Sequence, residues 1–279
     1  RLLSGLRNVA INAELDPAFR ALTLTQPARS DVMQRLYNAG TTPDPFAIHA
    51  AQETISHSLA EVLQNDLGTI YVENQVRAPF APTAEQAGQR ALANMILGLI
   101  TRLDGGTEAR EQFETADNMT STLGALGELL SCEYGVNAAQ KFYETWKHER
   151  LVIDKWFSIQ MTHAKPEEAL DVVNRLSAHP DFSIKNPNRF RSVFGPFAGH
   201  AGFHSKDGRG YDILADWLIE LDKINPQPTA RSCSAFDSWR IFAPDRQIQM
   251  QTAMKRILDQ EDLSRDTREM LTRILGEDG

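Results

Sequence analysis

A chain of 279 residues, 42% hydrophobic and 24% charged, carries enough apolar surface for one large core or two smaller ones. A net charge of −8 disfavours nucleic acid as a partner, since phosphate binding needs clustered Lys and Arg and the longest basic stretch is only Asn188-Arg189-Phe190-Arg191. No apolar run reaches the roughly 18 residues of a membrane span, and Arg1-Leu2-Leu3 has no signal-peptide layout. The expectation is a piece of a longer chain that makes no membrane contact.

Helical punctuation and periodicity run from one end to the other. Asp16-Pro17 and Asp44-Pro45 each set a capping side chain before a proline, which at the first helical position loses no hydrogen bond. Gly40 falls where a helix should stop. Ile55, Leu59, Val62 and Leu63 form an apolar stripe, and Thr69-Ile70-Tyr71-Val72 reads as the helix that follows or its exit. Thr83 with Gln86 makes a capping box ahead of Leu92, Met95, Ile96, Leu99, Ile100 and Leu103, and Gly105 closes that helix. Met119, Leu123, Leu126 and Leu130 repeat the pattern. Asn186-Pro187 opens another helix, and Asp207-Gly208-Arg209-Gly210 turns into one carrying Leu214, Trp217, Leu218 and Leu221, with Asp207 as its cap. Asn225-Pro226, the stripe Met250, Met254, Ile257 and Leu258, and a final start at Ser264 complete the series. No alternating run bounded by a hairpin turn occurs. These signals predict an all-α protein, a layered helical array or α-superhelix of antiparallel helix pairs, without a strict repeat period.

The chemistry-bearing motifs are incomplete. His148-Glu149 begins like HExxH, in which two His one turn apart bind zinc and the Glu acts as base, but Val152 stands where the second His belongs. His200 and His204 have i, i+4 spacing, yet Gly195, Gly199, Gly202, Gly208 and Gly210 predict a loop in which that geometry is lost and both rings pack. Neither GxxxxGK[ST] nor Gly-x-Ser-x-Gly is present. Cys132 and Cys233 lack CxxC or metal spacing and read as two reduced thiols of a cytoplasmic-type protein. No catalytic residue and no metal ligand is assigned to this chain.

Several segments go beyond generic helix: Ala116-Asp117-Asn118-Met119-Thr120, Leu151-Val152-Ile153-Asp154-Lys155-Trp156-Phe157, and Phe182 to Ser192 with Asn186-Pro187-Asn188-Arg189-Phe190-Arg191 at its centre. Phe197-Ala198-Gly199, Phe203-His204, Asp207 to Tyr211, Asn225-Pro226-Gln227 with Ala230-Arg231, and Arg246-Gln247 with Met250 follow in order. In this order and spacing the chain resembles the C-terminal domain of bacterial aminopeptidase N, a zinc-dependent gluzincin family, over nearly its whole length and more loosely before about residue 85. The resemblance implies one helical lid domain over residues 1–279, with a possible subdivision near 80–85. It implies a parent enzyme that removes N-terminal residues from peptides and keeps its zinc, HExxH and GxMEN in an upstream catalytic domain of the same polypeptide. Neither motif occurs here, so the isolated chain is expected to be inactive and to hold no cofactor. The lid is expected to cap the active site and enclose a chamber for peptide substrates, with Arg191, Gln227 and Arg231 as substrate-binding candidates. A guanidinium facing a chamber suits a carboxylate or carbonyl; the alternative for each arginine is a buried clamp on helix ends. Asn186, Asn188 and Arg189 are expected to hold the loop that presents Arg191. The other reading of the whole chain is a free-standing α-solenoid adaptor for a protein partner.

Overall fold

The computed structural model describes residues 1–276. Sixteen α-helices and no strand occur among them. In chain order these are α1 (Leu2–Ile11), α2 (Pro17–Leu24), α3 (Arg29–Asn38), α4 (Pro45–Leu63), α5 (Leu67–Glu73), α6 (Ala84–Asp104), α7 (Thr107–Thr115) and α8 (Met119–Leu130). Then come α9 (Gly135–Trp146), α10 (Arg150–Thr162), α11 (Ala169–Ser177), α12 (Pro187–Ala198), α13 (Arg209–Asp222), α14 (Pro226–Ser232), α15 (Pro244–Leu258) and α16 (Arg265–Leu275). The all-α expectation holds, and Thr69 to Val72 lie inside α5.

The helix ends follow the capping signals. Asp16 accepts from the Phe19 N–H, Asp44 from Phe46, Thr83 from Gln86, Asn186 from Asn188 and Arg189, and Ser264 from Thr267. Gly105 closes α6 with φ +69°, where a side chain would be strained. Two starts differ from expectation. Asn225 precedes α14 without a side-chain cap bond. Asp207 does accept from the Arg209 N–H, but Gly208, at φ +76°, is the residue that caps α13.

The chain divides into two compact units. The first comprises Arg1–Ala28 and Ala50–Lys147, and it includes residues 80–85, which run into the first turn of α6. The second comprises Arg29–His49 and the chain from His148 on. In the first unit α6 is the central helix, packed by α2, α5, α7 and α8. Coverage on several sides explains why Leu97 and Ala93 are buried alongside Leu92, Ile96 and Leu99. The stripes overshoot this core. Leu103, Val62 and Ile55 are exposed, and Met95 and Ile100 are only half-buried.

In the second unit α10, α11 and α12 pack together, as do α13, α14, α15 and α16. A train of aromatic rings joins these groups. Phe194 contacts Phe197, Phe197 contacts Phe203, and Phe203 contacts Tyr211 edge-on at 5.0 Å between centroids. Here the stripes land mostly in the core: Leu214, Leu218, Leu221, Met250, Met254 and Ile257 are essentially inaccessible, while Trp217 and Leu258 are half-buried. Gly210 is required at the start of α13, because a Cβ there would lie 2.1 Å from the Phe203 carbonyl oxygen.

Candidate functional site

The two most specific sequence blocks meet at one side chain. Asn186 caps α12 and fixes its first turn; Pro187 then occupies the first helical position. This aims Arg189 inward, where its Nε donates to Asp154 Oδ1 at 2.6 Å and its Nη1 to the Asp181 carbonyl. The guanidinium also lies 4.8 Å from the centroid of the Phe157 ring. Asp154 and Phe157 belong to the Asp-Lys-Trp-Phe block on α10. Arg189 is therefore the buried clamp, with its side chain 7% exposed.

Arg191, two residues on, points the other way. It is exposed, and its Nη2 donates to Asn188 Oδ1 at 2.7 Å. Within this turn Asn186 accepts from the Asn188 and Arg189 N–H groups, and Asn188 in turn accepts from Arg191. Gln227 and Arg231 are both exposed on α14. Their i, i+4 spacing sets them on one helix face a turn apart. None of the three is a buried clamp. Arg191 lies on α12, which packs on α10 and α11, whereas α14 packs on α13 and α16.

The histidines of the glycine-rich segment are structural. Ala201–His204 form a 3-10 turn rather than an open loop, and both rings are buried. His200 Nδ1 accepts from the Gly202 N–H at 3.1 Å, and its Nε2 lies 2.9 Å from the Ala164 carbonyl. His204 Nδ1 shares a hydrogen bond of 2.9 Å with the Tyr211 hydroxyl. Burial first, and the nearby Arg29 second, push His200 down to about 4; burial, with Arg246, pushes His204 to about 3. Both rings are neutral near pH 7. Burial also pushes the Tyr211 phenol up, keeping it protonated.

Two further buried groups have no role assigned from the sequence. Arg246 donates from Nε and Nη2 to the His204 carbonyl, both at 3.3 Å. Asp222, at the end of α13, accepts from the Ser264 N–H and hydroxyl and from the Thr267 hydroxyl, and so anchors the first turn of α16. An Asp at a helix end among apolar stripes gives no sequence signal for a partner 42 residues away.

No group of three or more His, Cys, Asp or Glu able to hold a metal occurs among the described residues. His200 and His204 spend ring nitrogens on Gly202, Ala164 and Tyr211, so these residues do not fit a zinc site. His148 and Glu149 are exposed at the start of α10. Cys132 and Cys233 are free thiols, the first half-buried and the second buried. No described helix is long and apolar enough to cross a membrane.

Short helices packed against their neighbours, with clamps at their ends, place the chain in the class of helical-repeat domains. Residues 1–276 match the family model described as Domain of unknown function (DUF3458_C) ARM repeats, and the chain belongs to that family. It is 32% identical to aminopeptidase N of Caulobacter vibrioides, across 99% of this chain and 32% of that protein. The same identity holds with aminopeptidase N of Haemophilus influenzae (98% of this chain, 31% of that one) and of Escherichia coli (97% and 31%). The crystal structure of Legionella pneumophila aminopeptidase A in complex with aspartic acid superposes with a TM-score of 0.88 at 27% identity, covering 99% of this chain and 33% of that one. The chain thus spans about a third of the length of these relatives and is homologous to the C-terminal region of aminopeptidases.

Proposed function

We propose that this chain is the non-catalytic lid of a zinc-dependent aminopeptidase, covering the active site of an upstream catalytic domain in the same polypeptide and enclosing a chamber for peptide substrates. The observation that carries this reading is end-to-end similarity to aminopeptidase N over 99% of the chain, by a stretch that makes up only 32% of that relative. Zinc and its ligands belong to the catalytic part; this chain's share is to shape the chamber and to keep water and folded proteins out. Arg191, Gln227 and Arg231 are the residues that meet the peptide. Their exposure leaves the guanidinium groups available to peptide carbonyls and the terminal carboxylate. Two free thiols support a reducing, cytoplasmic setting.

The test uses both the isolated chain and the chain joined to its catalytic part. Chelator-cleaned isolated chain should hold no stoichiometric zinc and should not turn over an alanyl anilide; either result to the contrary overturns the reading. In the joined polypeptide, Arg191→Ala and Arg231→Ala should each lower kcat/KM for peptides about tenfold and leave a single-residue anilide within about twofold. Equal losses on both substrates, in step with lost thermal stability, would assign the arginines to structure.

A further inference from the structure

The first unit contains a cavity of about 670 Å³ between α1, α2, α4, α6 and α8. That volume is in the range of small-molecule sites, roughly 300–1,000 Å³. One part is apolar: Leu6, Leu22, Ile55 and Met95 line it, and Leu22 is 72% and Ile55 36% exposed. These are apolar side chains that the core leaves uncovered. The other part is polar and negative, with Glu53, Glu128 and Arg102.

The polar end sets two carboxylates against one guanidinium, whose Nε is itself buried without an acceptor. Arg102 donates from Nη1 to the Gly98 carbonyl at 2.7 Å and from Nη2 to both Glu53 oxygens, at 3.1 and 3.2 Å. Glu128 Oε2 lies 3.8 Å from Arg102 Nη1, too far for a hydrogen bond. The Glu128 carboxylate therefore has an ion pair but no hydrogen bond to a described residue, with its side chain only 22% exposed. Gly98 makes this position possible, since a Cβ there would come 2.9 Å from Glu128 Oε1.

Four polar side chains around the cavity have committed donors. Thr25 donates to Ala21, Gln26 to Gln52 and Ser56, Gln52 to Pro27, and Asn94 to Thr120. What Glu128 lacks is a donor within hydrogen-bond distance. Two carboxylates against one guanidinium leave one uncompensated negative charge beside apolar walls.

We propose that this cavity binds a small amphipathic primary amine, its ammonium on Glu128 and Glu53 and its hydrocarbon body against Met95, Leu22 and Ile55. An ammonium offers three donors, to Glu128, which accepts none, and to the remaining lone pairs of Glu53, and a charge-assisted bond to a poorly solvated carboxylate is stronger than a neutral one. Burial already pushes the Glu128 carboxyl up, so a bound cation also relieves a standing penalty. A free amino acid fits poorly, because its carboxylate would meet apolar wall and like charge.

The experiment titrates the chain with hexylamine, hexanol and hexanoate, by calorimetry and by the NMR shift of the Met95 methyl. Hexylamine should bind one to one and shift Met95, with hexanol and hexanoate at least about tenfold weaker. Glu128→Gln, which keeps the shape, should weaken hexylamine about tenfold. Ala91→Trp, which fills the cavity from an exposed position, should abolish the Met95 shift, whereas Asp171→Asn on the second unit should change nothing. A doubly blocked lysine peptide that binds better than hexylamine would identify the same ammonium subsite as serving a peptide side chain. Hexanol matching hexylamine, Glu128→Gln without effect, or no saturable shift of Met95 would overturn the proposal.

Discussion

The two units differ in how completely they satisfy the polar groups they enclose. The second encloses Arg189, Arg246, Asp222, His200 and His204, and gives each of them hydrogen-bond partners. The first does the same for Arg20, Asn74 and Arg90, but leaves half-buried Glu128 against a cavity without a hydrogen bond. A buried arginine tolerates few neighbours, so the segments around it must be particular residues; an aliphatic face accepts any side chain of similar volume. The two most specific sequence blocks, Asn186 to Arg191 and Asp154 to Phe157, meet at one such arginine, Arg189, in the second unit. Glu128, in the first, is where a ligand could still satisfy an open valence.

The sharpest way to break this contrast is Arg189→Ala. It strands Asp154 in a half-buried site and removes the guanidinium from Phe157, and should cost about 3–5 kcal/mol in urea unfolding. The paired change Arg189→Met with Asp154→Leu should recover much of that loss, since neither partner is then left charged and alone.

Acid should separate the units next. The folded pKa values of His200 and His204, about 4 and about 3, lie below the ordinary 6.5, so their contribution is complete above about pH 6.5 and is lost as pH falls toward 4. In the first unit, burial raises the Glu128 and Glu108 carboxyls above 4.5; their penalty applies above that pH and eases on acidification. Hydrogen exchange between pH 6.5 and 4.5 should therefore show opening of α12 and the Ala201–His204 turn growing easier, on the order of a few kcal/mol, while α6 changes little. Equal loosening of both would contradict the contrast.

Asp222→Ala should cost about 2–3 kcal/mol, because three donors at the start of α16 lose their acceptor at once. Glu128→Gln should change stability at neutral pH by less than about 1 kcal/mol in the absence of ligand. A large loss there would mean that the Arg102 pair, at 3.8 Å, supports the first unit after all.

How much could be read in advance also differs between the units. Caps and stripes located ten of the sixteen described helices, because a capping oxygen and an i, i+4 repeat are properties of a single helix; α1, α3, α7, α9, α10 and α11 were located by neither. The stripe through Met250, Met254 and Ile257 found the core, since its helix has one covered face. The stripe through Leu92 to Leu103 erred in both directions. It ran on to exposed Leu103 and omitted buried Leu97, because α6 is covered on several sides. Both blocks that meet at Arg189 stood out in the chain, yet nothing in either named the other as its partner. Arg191, Gln227 and Arg231 came from resemblance alone, and the structure adds that they are exposed.

By itself the sequence determined that this chain is helical, where several of its helices begin, and that it lacks a complete HExxH. Those are local facts, set by backbone hydrogen bonds within a turn or two. Only the tertiary structure decided which polar groups are paired. Arg189 finds Asp154 across 35 residues, Asp222 finds Ser264 across 42, and Glu128 finds no hydrogen-bonding side chain among the described residues. The reason is physical: the cost of burying a charge depends on what other parts of the chain bring to it, and that is settled by packing.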